Sequence, residues 1–192
     1  MTTRASKILA LAAVLITATL AMNSAFADGT KAFKIRFAGG FVQNIQQMQV
    51  GEYGPTGMVE SRSIALIKGR GTFGKVDIMA VTVDGPPVST MLCSSGLNKI
   101  ADIVENNLVL TFGDLSLLYG NGTGVVCPNP ANPAVLIAEV EGTWHGGTGR
   151  FLRTGGNWSI RFDFAEAVGD ATQFIAESGV ITGHLTGLRD DD

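Results

Sequence analysis

The sequence is poor in the groups that do chemistry. It has two histidines and two cysteines in 192 residues. A zinc site usually needs three or four converging ligands. His145 and His184 stand far apart in the chain, so no metal is expected. No G-x-S-x-G elbow is present to raise a serine nucleophile. No glycine loop is followed by the Lys-Ser/Thr pair of a phosphate cradle. Like charge is never concentrated. The longest run is Asp190-Asp191-Asp192, and residues 189–192 read as a solvated acidic tail. Nothing calls for a cofactor.

Apolar runs are also scarce after the start. The chain opens "MTTRASKILALAAVLITATLAMNSAFADG". Arg4 and Lys7 precede an apolar run over 8–22, and Ala25-Phe26-Ala27 places small residues where a signal peptidase reads. This pattern predicts a signal peptide over 1–27, cleaved after Ala27. The run is shorter than the roughly 20 residues of a spanning helix. No stable membrane anchor is expected, and the protein should be exported to the periplasm or the medium. The leader removes two of 14 basic residues and none of 17 acidic ones. The resulting mild acidity argues against nucleic acid or an anionic membrane surface as a partner. Residues 28–192 suit one domain.

Export places Cys93 and Cys127 in an oxidising compartment, where an even pair usually bridges. Closing that loop contributes about 3–4 kcal/mol by the chain-entropy argument.

Helical periodicity is weak and period-two alternation is common. In "KVDIMAVTV", Val76, Ile78, Ala80 and Thr82 share one face. In "NWSIRFDF", Trp158, Ile160, Phe162 and Phe164 oppose Ser159, Arg161 and Asp163. "MVESRSIALIK" places Ser63, Ala65 and Ile67 together. Such alternation marks strands with one buried face. Further strands are expected over 32–38, 42–50, 108–112, 115–119, 135–144 and 172–185. Gly113-Asp114 suits a tight turn. Residues 97–105 fit either a short helix or a strand paired with 108–112 across Glu105-Asn106-Asn107. The total predicts an all-β fold, an antiparallel sandwich or a single eight- or nine-stranded barrel.

Six glycines fall between Gly142 and Gly156 in "EGTWHGGTGRFLRTGGNWSIRF". A strand pattern follows them, so no helix N-terminus is there to hold an anion. The expected role is geometric. Gly146, Gly147 and Gly149 would let one strand turn sharply into the next. "KGRGTFG" over 68–74 is a weak echo that suggests a similar corner.

The stretch "GTWHGGTGRFLRTGGNWSIRF", followed by "ESGVITGHLTG", resembles the allene oxide cyclase-like and dirigent-like barrel group. "SIALIKGRGTFG" is similar to an earlier segment of its bacterial secreted members. The resemblance implies an eight-stranded antiparallel barrel with an internal cavity, and a homo-oligomer, since such proteins often form trimers. Where dirigent proteins continue to Ala-Arg-Gly, this chain has Thr154-Gly155-Gly156, so that arginine is missing. Activity does not follow from a fold alone.

Trp144, His145, Arg150 and Trp158 cluster about the glycine run and form the candidate ligand-contacting set. The alternative is that both tryptophans pack over glycines. Glu139 and Glu141 share one strand face. The apolar Leu136, Ala138 and Val140 lie on the other, which puts the carboxylates outside. Three roles remain. One is an exported barrel binding a small hydrophobic molecule. The second is an envelope structural or interaction protein with a filled core. The third is an allene oxide cyclase-like isomerase, which needs polar groups converging in an apolar interior.

Overall fold

A computed structural model describes residues 29–53, 58–132, 134–166 and 173–188. The expected leader over 1–27 and the acidic tail over 189–192 lie outside the described residues. Eight strands follow in chain order: β1 (Lys31–Tyr53), β2 (Met58–Gly71), β3 (Gly74–Gly85), β4 (Ala101–Phe112), β5 (Leu117–Pro128), β6 (Val135–Gly147), β7 (Gly155–Glu166) and β8 (Gln173–Thr186). Each pairs antiparallel with its chain neighbour, and β8 pairs with β1 to close a barrel. The all-β antiparallel barrel is therefore present, with eight strands rather than nine and no sandwich. Closure leaves no unpaired sheet edge.

The inward face follows the alternation in the sequence. β3 buries Val76, Ile78 and Ala80 while Lys75, Asp77 and Met79 point out. β1 contributes Phe33, Ile35 and Phe37, and β4 contributes Leu108, Leu110 and Phe112. These side chains form one continuous core.

Residues 97–105 are neither a helix nor a separate strand. β4 runs straight through Glu105-Asn106-Asn107. The cause is a bulge. Against β3, Val83 pairs with Glu105 but Asp84 with Ile103. Against β5, Ile103 pairs with Gly124 and Asn106 with Gly122. One extra residue resets the alternation. Ile103 and Asn106 are consequently both buried, and Val104 faces out. The break in pattern that suggested a turn is this bulge. The strand expected over 115–119 begins at Leu117 and continues to Pro128. Its glycine-rich middle carries no side-chain pattern to read.

The two ends of the barrel differ. One end carries the turn between Gly71 and Gly74, the turn between Phe112 and Leu117, and the corner between Gly147 and Gly155. A single 3₁₀ turn, Gly149–Phe151, occupies that corner. At the opposite end, residues 86–100 fold down the outer wall. The disulfide Cys93–Cys127 holds them there. Cys93, Val125, Cys127 and Ile137 form a second, smaller apolar cluster outside the barrel.

Candidate ligand-binding cavity

The glycine end is packed with aromatic rings. Phe112 and Phe151 lie 4.8 Å apart between ring centres, and Phe73 meets Phe151 edge-on at 5.7 Å. The two glycine corners anticipated from "KGRGTFG" and "GGTGRF" thus meet through Phe73 and Phe151. The Arg150 guanidinium sits 5.0–5.3 Å from the centres of Phe73, Phe112 and Phe151. Its Nε lies 3.5 Å from Asp114 Oδ2. Burial works to raise the Asp114 carboxyl. Hydrogen bonds donated by the Ser116 N–H and hydroxyl, with the Arg150 charge, outweigh that and hold it below its ordinary value.

The corner itself explains its glycines. Gly149 has φ +58°, and a Cβ there would lie 2.5 Å from Ser116 Oγ. Gly147 passes so close to β5 that a Cβ would lie 1.8 Å from the Leu117 carbonyl oxygen. Gly146 also sits at positive φ. Only glycine fits these positions without strain.

Trp144 and Trp158 stack on each other at 5.6 Å, and Phe33 packs on Trp144 at 5.8 Å. Both indoles are buried. A Cβ on Gly142 would come within 2.4 Å of the Trp158 ring, and one on Gly120 within 2.9 Å of both indoles. The glycines make room for the tryptophans. Trp158 Nε1 donates to the Thr143 carbonyl at 3.2 Å. His145 is exposed on the outer wall, with Nε2 2.7 Å from Asn121 Oδ1. The candidate set Trp144, His145, Arg150 and Trp158 therefore gathers at the packed end, with His145 pointing away from the others. Among the described residues no group of three or more His, Cys, Asp or Glu is placed to hold a metal. Glu139 lies outside as expected, paired with Arg161 at 2.6 Å.

Among the described residues, the opposite half of the barrel leaves space. A partly open cavity of about 70 Å³ lies within it. Its wall is mostly apolar: Phe37, Ala65, Ile67, Ile78, Ala80, Ile103, Val126, Ala138, Ile160, Phe162 and Phe164. Four polar side chains join it, Ser63 from β2, Thr82 and Asp84 from β3, and Asn106 from β4. Asn106 is 4% exposed. Its Nδ2 donates to Thr82 Oγ1 at 2.8 Å, while its Oδ1 is buried without a hydrogen-bond partner among the described residues. An unpaired buried carbonyl costs about 1–3 kcal/mol. A donor arriving from a guest would remove that cost.

Part of this site was visible in the sequence. Ser63 shares a strand face with Ala65 and Ile67, and Thr82 shares one with Val76, Ile78 and Ala80, whereas Asp84 read as the start of the Asp84-Gly85-Pro86-Pro87 turn and lies within β3 instead. Asn106 was hidden, because the bulge made Glu105-Asn106-Asn107 read as a connection between strands rather than as part of one.

A second polar cluster escaped the sequence reading entirely. Asp102 accepts hydrogen bonds from the Val88 and Ser89 N–H groups at 2.8 and 2.7 Å and from Ser89 Oγ at 2.8 Å. Lys99 Nζ lies 2.6 Å from Asp102 Oδ1, and both side chains are nearly buried. Burial alone would raise the Asp102 carboxyl. Hydrogen bonds from Lys99 and Ser89, with the Lys99 charge, win and lower it. This cluster staples both ends of the 86–100 loop to the start of β4.

No family model, no curated protein and no solved structure matches the chain.

Proposed function

We propose that this protein is an exported binding barrel that takes a small, mostly apolar molecule into the half of its interior away from the glycine corner. The observation that carries the reading is Asn106. Its carbonyl is a buried acceptor without a partner among the described residues, beside an apolar cavity that already has one polar side. Natural interiors leave few such groups unpaired. Ligand sites are typically apolar pockets with a small number of placed polar groups. A barrel of eight strands has just enough interior for one small ligand.

The guest has a defined chemistry on this reading. The cavity holds only a handful of water-sized groups. A slender apolar body, or the end of a longer one, enters among Phe37, Phe162 and Phe164. A hydroxyl or amine on it donates to Asn106 Oδ1. The resemblance to the allene oxide cyclase-like and dirigent-like group supports the same class of protein. It also supports a second reading, an isomerase acting on an apolar substrate. Asp84 favours that reading, because it brings a carboxylate to the same cavity as Ser63, Thr82 and Asn106. A carboxylate in reach of a bound substrate is a candidate acid–base group.

The test is native mass spectrometry of the full chain purified from its own export compartment. A bound small molecule is expected on the wild type and absent from Ala80→Leu, which fills the cavity. A guest retained by folded Ala80→Leu would place it elsewhere and contradict the reading. Turnover abolished by Asp84→Asn, with the guest still bound, would select the isomerase.

A further inference from the structure

The outer wall of the barrel carries a row of cations that the interior does not explain. Register places Arg36 of β1 directly opposite Arg70 of β2, and Arg70 directly opposite Lys75 of β3. All three side chains are exposed. Lys34 stands two residues from Arg36 on the same face of β1. Like charges directly opposite on neighbouring strands are destabilising. A sheet normally relieves this with an acid on the next strand. Here the next row does so: Lys68 pairs with Asp77 at 2.8 Å. Across β8, Arg161 is likewise matched by Glu139. None of the ion pairs among the described residues involves Lys34, Arg36, Arg70 or Lys75. The one carboxylate bordering the same depression that no such pair engages is Asp163.

The depression that Lys34, Arg36 and Arg70 border runs over β1, β2, β7 and β8, has a volume of about 670 Å³ and is wide open, and Lys75 stands beside it on β3. One free anion there would be weakly held, because water screens each contact. Several anions fixed at close spacing would not be. The cations spread over three adjacent strands and two levels, so they face a surface rather than a single thread. Beyond the Lys68–Asp77 row, Leu66 and Met79 lie directly opposite each other, 56% and 40% exposed. Basic residues beside exposed apolar ones suit the headgroup layer of an anionic membrane. A nucleic-acid strand would call for exposed aromatic platforms, and the lining of this depression has none that is exposed.

We propose that the wall formed by β1, β2 and β3 docks on an anionic phospholipid surface, with Arg36, Arg70, Lys75 and Lys34 meeting the phosphates. This is independent of the cavity reading. It sets the barrel on its side against the membrane, held by charge at the surface rather than by insertion.

Flotation of the full chain with vesicles tests it. At low salt the protein should float with phosphatidylcholine vesicles that contain about one third phosphatidylglycerol, and not with phosphatidylcholine alone. Sodium chloride at about 0.5 M, where screening acts within about 4 Å, should release it. The variant Arg36→Gln/Arg70→Gln/Lys75→Gln should lose at least about tenfold in association. Arg153→Gln, exposed on the corner between β6 and β7, should bind as the wild type. The triple variant should also melt no lower than the wild type at low salt, because the opposed charges are gone. Four results would overturn the proposal: no binding to anionic vesicles, unchanged binding by the triple variant, tighter capture of a single-stranded oligonucleotide than of vesicles, or release by inorganic phosphate beyond that by chloride of equal ionic strength. The last would assign the row to a soluble phosphate.

Discussion

Asn106 and Thr82 face each other inside the barrel, and among the described residues one hydrogen bond of 2.8 Å from Nδ2 to Oγ1 satisfies only half of the asparagine amide. The two residues sit on neighbouring strands, and the β4 bulge is what turns Asn106 inward. This asymmetry gives the two residues opposite responses to mutation. Asn106→Leu removes the donor and the unpaired acceptor together and keeps the volume. It should change stability by less than about 1 kcal/mol. Thr82→Val leaves the whole amide buried without its partner and should cost about 1–3 kcal/mol. Urea denaturation of both variants measures the order. Asn106→Leu proving the more damaging would mean that the carbonyl has a partner in the folded protein.

The glycine corner makes a second prediction. Gly149→Val forces a β-branched residue to φ +58° and drives its Cβ against Ser116 Oγ. The loss should be about 2 kcal/mol or more, from backbone strain and the contact together. Gly113→Ala is the comparison, since a Cβ there meets nothing within 4 Å and φ is ordinary. It should be neutral within about 0.5 kcal/mol. Equal melting temperatures for wild type and Gly149→Val would refute the geometric account.

Asp102 gives a pH dependence of definite sign. Its folded pKa lies below the ordinary aspartate value of 3.8. Its contribution is therefore fully present above about pH 4 and fades as pH falls through the folded value. Asp102→Asn removes the charge and leaves Lys99 buried without its partner, at a cost of about 3–5 kcal/mol near neutral pH. The gap in stability between wild type and variant should narrow below pH 4. A gap that widened in acid would reverse the assignment.

The disulfide is expected to matter through the same loop. Cys93→Ser/Cys127→Ser should lower stability by about 3–4 kcal/mol on the chain-entropy estimate. It should also free Ser94 from Glu139 and Arg161, whose contacts pin the loop to β6 and β7. Limited proteolysis should then cut within residues 86–100 first. Protection equal to that of the oxidised protein would show that the Asp102 cluster holds the loop alone.

Much of the barrel was legible because its strands keep strict alternation. Val76, Ile78 and Ala80 were placed on one strand face from spacing alone, and all three are buried. The pairing of Cys93 with Cys127 also followed from the count of two cysteines and the expected export. Two features resisted. The bulge at Val104-Glu105 looked like a turn, because one inserted residue shifts the pattern and a turn does the same. The middle of β5 was invisible, because Gly120, Gly122 and Gly124 carry no side chain to register a face. The site suffered from the first of these. The conspicuous residues, Trp144, Arg150 and Trp158, drew attention to the packed end, where aromatic rings and glycines fit each other. The polar residues at the cavity end were ordinary in type and distinguished only by which way they face.

The central claim is that the Asn106 carbonyl awaits a donor from a small apolar guest. The most direct measurement follows the Asn106 side-chain amide by ¹⁵N–¹H NMR during titration with compact alcohols and with hydrocarbons of matched size. The account predicts that alcohols shift this signal saturably and bind more tightly than their hydrocarbon counterparts. An Asn106 signal indifferent to every alcohol, or alcohols and hydrocarbons bound alike, would contradict it.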